Sequence, residues 1–420
     1  MTKTNEAAKL ARLNRFMAAT GLLALIFSAV SLRPPVAAVG PLLDEIAANL
    51  HLGAAQVSLL AAAPVFCFGL GAFLGPWLAR NLGLHAAMRA VILLLASSIM
   101  FRAATAYNYW MVLAFTLVIG LAIAVGNVLL PTIVRTDYPK RIALITGVYT
   151  TLLALSASFA ASFAVPLSAT LGGWQWSLLV WAAPAALAGL FWTTQARRPE
   201  PAPAAGIAHG DHSHDAEKAA VRTSPITWAL VGFFGLQSLG FYALLNWMPT
   251  ALIAAGAAPD AAGQALGLTT AIGIPFGLLL SAFAGRFKSL AWWSAAASAL
   301  TAIGFTIVLV EISAGGADVA SRMLLGGLLI GMGQASTFPL SLSLIGSKAS
   351  TKAQTTMLSA LSQGWGYLFA AVGTLAIGLL ADLTHGWVVP FVVLIAATLV
   401  QIPLGFVAGR PGQIPAANRK

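Results

Sequence analysis

Charge is what this chain has least of. Only 8% of its 420 residues are Asp, Glu, Lys or Arg, against 59% that are hydrophobic. A soluble domain carries about 25% charged residues, so this polar complement cannot cover a soluble protein's surface. The same balance excludes intrinsic disorder, which needs high charge and low hydrophobicity. Cysteine is nearly missing as well: Cys67 stands alone, no intrachain disulfide can form, and the fold rests on packing. The alternating ten-residue segments of an outer-membrane barrel are absent; the apolar runs are continuous and longer, which leaves helices as the spanning elements. No nucleophile–base constellation, nucleotide loop or phosphate cradle appears, and Gly331-Met-Gly333 lies inside an apolar run and reads as packing. The net charge of +11 in such a chain points to basic residues gathered on one membrane side rather than to nucleic acid.

What is present suffices for twelve spans of about 20 residues. They read as 16–41, 55–79, 87–106, 109–133, 142–166, 174–194, 225–253, 261–284, 290–311, 320–345, 354–380 and 387–408. Gly83, Pro139 and Pro259 mark turns, and Trp174, Trp176, Trp292, Trp293 and Trp387 mark interfaces. The expected architecture is an all-α membrane protein: an N-terminal six-helix half over 1–194, a linker over 195–224 and a C-terminal six-helix half over 225–420. The linker holds Pro199, Pro201, Pro203 and the run His209, Asp211, His212, His214, Asp215. That run has metal-like spacing but no scaffold to fix ligands, so it reads as solvated linker, with no metal or cofactor expected. With the N-terminus inside, 20 of the 23 Lys and Arg fall in tails and loops on one side, leaving Arg33, Arg102 and Arg322. Six acids, Asp44, Glu45, Asp260, Glu311, Asp318 and Asp382, fall on the other. This asymmetry places both termini in the cytoplasm. The basic start runs into an apolar segment with no small-residue cleavage site, so no cleaved leader is expected. A monomer in the bilayer is expected.

The two halves echo each other. Gly120-Leu-Ala-Ile-Ala-Val-Gly126-Asn127 and Gly327-Leu-Leu-Ile-Gly-Met-Gly333-Gln334 match at a constant offset of 207, and Pro131 and Pro339 follow within five residues. Leu32-Arg33-Pro34 in the first span and Trp247-Met248-Pro249 in the seventh place a proline break at similar depth. A parallel repeat of six-helix halves implies a central cavity open alternately to each side.

Several strings carry a family resemblance. They are Leu32-Arg33-Pro34-Pro35 through Val39-Gly40-Pro41-Leu42-Leu43, Gly126-Asn127-Val-Leu-Leu-Pro131 followed by Pro139, Thr146-Gly147-Val-Tyr149-Thr150, Phe234-Gly235-Leu-Gln237-Ser238, and Ser362-Gln363-Gly-Trp-Gly366-Tyr367-Leu368. The chain resembles, over nearly its whole length, the cyanate permease and 2-nitroimidazole transporter branch of the major facilitator superfamily. The superfamily's loop signature after span two is degenerate: Leu78-Ala79-Arg80-Asn81-Leu82-Gly83 keeps the frame but lacks its aspartate. The resemblance implies a twelve-helix secondary transporter of a small solute, with cyanate-like anions or nitroimidazole-like heterocycles as reference substrates.

Arg33 is the sharpest candidate for binding. It lies deep in a span, where a charge costs at least about 2.5 kcal/mol unless it faces a cavity or partner. Pro34-Pro35 behind it frees carbonyls and kinks the helix. Its planar fork suits a negative or strongly polar solute; the competing reading is snorkelling, or pairing with Asp44 or Glu45. Arg102, near the outer end of span three, can snorkel or act as a gate. Arg322 pairs with Asp318 one turn earlier. Asn127 and Gln334 either line the cavity or bond between helices. In span seven Tyr242 and Asn246 share a face, with Gln237 more than a turn earlier; in span eleven Ser359, Gln363 and Tyr367 form an i, i+4, i+8 stripe. Tyr149 is an aromatic wall or core packing. Cys67 reads as a small buried apolar residue.

The function expected is alternating-access transport of a small anionic or polar organic solute across the bacterial inner membrane. The alternative is a multidrug-type exporter of aromatic compounds. A membrane-embedded transferase would need ionisable groups clustered near an interface, and the few acids are scattered; a channel would show neither saturation nor counterflow. No Asp, Glu or His falls near the midplane, so coupling through a buried proton relay is not expected.

Overall fold

The computed structural model describes residues 19–139, 141–195, 219–283 and 286–415. Within them the regular structure is entirely helical, as it must be where lipid offers the backbone no hydrogen bonds. Twelve helices are long and apolar enough to cross a membrane. We number them α1 (Ala19–Leu50), α2 (Ala54–Leu82), α3 (Leu84–Ala104), α4 (Tyr109–Asp137), α5 (Ile142–Leu171), α6 (Trp174–Gln195), α7 (Pro225–Ala254), α8 (Pro259–Phe283), α9 (Ala291–Ala314), α10 (Leu324–Lys348), α11 (Lys352–Leu383) and α12 (Val388–Gly409). The run 209–215 and most of the linker lie outside the described residues.

Local chemistry sets the ends. Asn108 caps α4, its side-chain oxygen accepting from the amides of Trp110 (2.9 Å) and Met111 (3.2 Å). Gly83, at φ 85°, turns the chain between α2 and α3 where a Cβ would be strained. The described basic residues at the helix ends (Arg80, Arg89, Arg135, Arg141, Arg286, Lys288, Lys348, Arg410) share one face of the bundle, and the six acids named above share the other. We call these the basic and acidic faces.

Packing repeats with a period of six helices. α2 packs on α4, α3 on α4 and α3 on α6; α8 packs on α10, α9 on α10 and α9 on α12. The repeat extends to single contacts. Gly71 meets Ala124 and Gly75 meets Val128, while Gly273 meets Gly331 and Gly277 meets Ala335. The offset of 207 read from the sequence links Ala124 to Gly331 and Val128 to Ala335. The halves face each other along α2–α11, α5–α8 and α1–α7.

Three expectations need correction. α7 is one helix through Pro249, so only α1 has the proline break. Trp174, at the start of α6, is buried at 1% exposure where a belt residue would face lipid, because the turn before it folds α6 back onto α3 and α5; Trp176, Trp292 and Trp293 are exposed. Arg102 does not snorkel: it is buried at 1% exposure. Arg322 lies just outside α10 and pairs with Asp318 as its spacing indicates, while its Nε also donates to Glu311 (2.7 Å) and its Nη2 to the Gly315 carbonyl (2.6 Å). Cys67 is buried, its thiol directed to the Leu117 carbonyl (3.2 Å).

Candidate functional site

The site begins with a broken helix. α1 runs regularly over 19–31, bends at 32–33, and resumes as the short turn Pro34–Ala37, a 3₁₀ turn Gly40–Leu42 and the helix Leu43–Leu50. Pro34 and Pro35 lack N–H groups, so the carbonyls of Val30 and Ser31 lose their regular donors and the ladder stops. The Arg33 carbonyl accepts instead from Val36 N (3.2 Å) and Ala37 N (3.0 Å). The break leaves the half-buried Arg33 side chain free to project across the seam between the halves.

On the other side stands a cluster of rings. Arg33 Nη1 donates to the Tyr242 hydroxyl on α7 at 3.4 Å, and its guanidinium carbon lies 5.9 Å from the Phe241 ring centre. The Tyr242 ring lies 5.6 Å from Phe68 of α2 and 6.3 Å from Tyr367 of α11. Tyr367 in turn contacts Phe68 (5.7 Å) and Phe234 (5.1 Å), and Phe234 reaches Phe338 of α10 (6.1 Å). Among the described residues no carboxylate pairs with Arg33. A guanidinium whose polar partner is one phenol keeps most of its hydrogen-bonding fork and all of its charge for something else. The ring faces beside it can stack on a flat solute.

The other candidates divide. Tyr242 and Tyr367 join Arg33. Gln237 and Gln334 find each other: both are buried, Gln237 Nε2 donates to Gln334 Oε1 at 3.3 Å, and Ser238 donates to Gln237 Oε1 at 3.2 Å. The Gln334 amide nitrogen has no further partner. Asn246 gives its amide hydrogens to the carbonyls of Ala61 (3.2 Å) and Tyr242 (2.9 Å), tying α7 to α2. Gln363 donates to Ser359 (2.6 Å). Asn127 is half-buried on α4, and Tyr149 is buried near the basic end of α5. Among the described residues, Tyr242 alone hydrogen-bonds to the Arg33 side chain. Arg102 donates Nη1 to the Pro35 carbonyl at 3.5 Å, two residues beyond Arg33. Sequence reasoning missed Phe68 and Phe241, and met Phe234 only as the start of a family string. A phenylalanine in an apolar helix carries no polar signal; only the adjacency of Phe241 to Tyr242 could have suggested one.

On its acidic side the cluster is sealed. A methyl on Gly40 would overlap the Leu245 carbonyl oxygen, and one on Gly378 would overlap Ser58 and Trp247. Ser158 of α5 and Thr270 of α8 share a hydrogen bond of 2.8 Å across the seam. Glu45 clasps α5 to α6, accepting from Ser168 Oγ (2.7 Å) and Trp174 N (2.9 Å). Gly147 of α5 and Gly346 of α10, like Gly53 and Gly172 in the turns of the acidic side, have no heavy atom within 4 Å of where a Cβ would stand. Among the described residues no group of His, Cys, Asp or Glu could hold a metal ion.

Comparison with known proteins identifies the family. The family model of the Major Facilitator Superfamily matches residues 17–373. The uncharacterized transporter YycB of Bacillus subtilis (strain 168) is 33% identical over 401 residues, 95% of each chain. The 2-nitroimidazole transporter of Escherichia coli (strain K12) is 30% identical, covering 96% of this chain and 97% of its own. The cyanate transport protein CynX of the same organism is 25% identical, covering 94% and 98%. Among solved structures, an inward-facing, unoccupied bacterial homolog of the human lysosomal transporter Spinster superposes with a TM-score of 0.74 at 15% identity, covering 94% of this chain and 97% of that one.

Proposed function

This chain belongs to the major facilitator superfamily, and on that premise we propose that it carries a small, flat, anionic or strongly polar organic solute by rocking its two halves around Arg33. That it is a multi-pass membrane transporter and not an enzyme follows from the family and from its twelve apolar helices. The observation that carries the finer reading is the Arg33 guanidinium, set among rings from both halves with no carboxylate partner among the described residues. A charge so placed recognises a negative or strongly dipolar group, and the rings of Phe68, Tyr242 and Tyr367 grip its plane. A cyanate-like anion or a nitroimidazole-like heterocycle fits this chemistry, as the names of two relatives suggest.

Asn127, Tyr149 and Gln363 stand closer to the basic face, where they line the way to Arg33; Gln237 and Gln334 brace α7 against α10, and Asn246 braces it against α2. On this reading the basic face is cytoplasmic, by the distribution of Lys and Arg, and the membrane is the bacterial inner membrane. The described Asp, Glu and His all lie at helix ends. A resting site with one positive charge and no neighbouring acid favours exchange of anions, or uniport down the solute gradient, over a proton relay.

The test is uptake into proteoliposomes with 2-nitroimidazole and cyanate as probes. Arg33→Ala should abolish saturable uptake of at least one of them. Arg33→Lys should fail nearly as badly, because an ammonium lacks the planar fork. Normal uptake by Arg33→Ala at equal abundance overturns the reading. The ring cluster also admits export of bulky aromatic compounds; inhibition by apolar aromatic cations with indifference to small anions would favour that alternative.

A further inference from the structure

Arg102 lies outside the ring cluster yet, among the described residues, is the largest buried charged side chain, at 1% exposure. It sits in the last turn of α3, toward the acidic face. Its Nη1 reaches the Pro35 carbonyl at 3.5 Å, while Nε and Nη2 have no partner. Among the described residues it pairs with no carboxylate. Burying a guanidinium in this way is expensive, and packing alone would be served better by leucine or methionine.

The position of its one acceptor says what the charge is for. Pro35 belongs to the turn Pro34–Ala37, and the amides of that turn hold the Arg33 carbonyl, from Val36 at 3.2 Å and Ala37 at 3.0 Å. Whatever fixes Pro35 therefore fixes the backbone from which Arg33 reaches Tyr242. We infer that Arg102 is the positioning residue for Arg33, clamping the broken stretch of α1 to the end of α3 so that the Arg33 fork stays aimed at the ring cluster. The two unused donors suit this task. Val30 and Ser31 have carbonyls stripped of their regular donors by Pro34 and Pro35, about one helical turn from Pro35. As α1 changes its bend between the two states of the transporter, Arg102 can pass from one carbonyl to the next without leaving the segment. A lysine offers the same charge but not the spread fork.

This inference rests on the reading of Arg33 given above, and the experiment separates the two. Arg102→Lys, Arg102→Met, Arg33→Gln and the double variants are purified, and Kd for 2-nitroimidazole and cyanate is measured by calorimetry. Each Arg102 variant should weaken binding of the probe that depends on Arg33 by about tenfold, a size ordinary for coupled neighbours. Adding either to Arg33→Gln should then change little. Equal losses with and without Arg33, or full affinity in Arg102→Lys, overturn the inference. Unchanged affinity in Arg33→Gln overturns instead the reading it rests on. Hydrogen exchange supplies a readout independent of any solute: in Arg102→Lys the amides of Val36 and Ala37 should exchange at least several-fold faster than in the parent chain. Unchanged exchange at those two amides also overturns the inference. Should Arg102→Met fail to fold, the charge-preserving lysine variant carries both measurements.

Discussion

Helices α1 and α7 hold corresponding places in the two halves and both carry proline, yet one is broken and the other is not. In α7 the single Pro249 removes one donor, and the helix continues for the full 30 residues of Pro225–Ala254. In α1 two adjacent prolines remove two donors in succession and Gly40-Pro41 follows within a turn or two; the chain departs from helix at Leu32 and recovers its regular form only at Leu43. Lipid-embedded helices tolerate one interrupted bond when a neighbour satisfies the freed carbonyl. Here the carbonyl freed by Pro249 is that of Leu245, and it is the one against which Gly40 lies. The two interruptions thus meet: the broken helix supplies the bare glycine that covers the intact helix's open carbonyl. The charge sits on the broken partner, and Phe234, Phe241 and Tyr242 sit on the continuous one; under the function proposed above, recognition falls to the broken element and part of the wall to the continuous one.

The largest effect should come from erasing this difference. Pro34→Ala with Pro35→Ala restores two donors, straightens α1 through Arg33 and draws the guanidinium from Tyr242. Uptake of the Arg33-dependent probe should fall by about a hundredfold, the scale of an ångström-sized misplacement of a recognising group. Pro249→Ala should leave uptake within about threefold, since α7 is already helical there. Equal losses in the two variants would show that the break has no special role.

A smaller effect tests the contact itself. Gly40→Leu places a side chain against the Leu245 carbonyl, and overpacking of this kind costs about 1–3 kcal/mol. Its melting temperature should fall, and a cysteine at Thr250 in a Cys67→Ala background should become reactive to a membrane-impermeant thiol reagent. Gly147→Ala, where the space is open, should do neither. The repeat offers a third comparison. Asn127→Cys should label in the same background and be protected by substrate, whereas Gln334→Cys, from a buried site paired with Gln237, should resist labelling. Labelling of both without protection would return Asn127 to a packing role.

The smallest effect is expected at the acidic face. Arg322 holds the exposed Asp318 carboxyl below its ordinary value, chiefly through their hydrogen bond. A depressed carboxyl adds stability above its ordinary pKa and loses it as pH falls through the lowered value. At neutral pH the pair is fully formed, and because both groups are in water it contributes little. Asp318→Asn should therefore melt as the parent does between about pH 5 and pH 8; a clear drop would mean that the clasp on Glu311 depends on Asp318.

The fold was legible because its signals are coarse and redundant. Twelve apolar runs, a one-sided distribution of Lys and Arg, and glycines repeating at a fixed offset each constrain the same architecture. Arg33 was legible because a charge inside an apolar run has few innocent explanations, and the double proline beside it announced the break. The intact course of α7 was not, since a proline reads alike whether or not a neighbour covers the carbonyl it frees. The burial of Trp174 and Arg102 escaped for a related reason: in an apolar sequence, facing lipid and facing protein look the same. Phe68, Phe234 and Phe241 escaped as site residues because α2 and α7 meet Tyr367 of α11 only in space.

The paired glycine contacts of α2 with α4 and α8 with α10 have a mechanical consequence. With no side chain on Gly71, Gly75, Gly273 or Gly277, the glycine backbone lies directly against Ala124, Val128, Gly331 and Ala335, so one helix cannot shear along the other without driving a methyl or a carbonyl into its neighbour. The seams behave as welds. Under the function proposed above, a pull at Arg33 would not be absorbed as slip inside a half and would turn the half as a whole. With α2 29 residues long, an arm of about 44 Å, a slight tilt near the middle becomes an opening at the ends. The glycines that look like the softest residues in the bundle are what make each half a stiff lever.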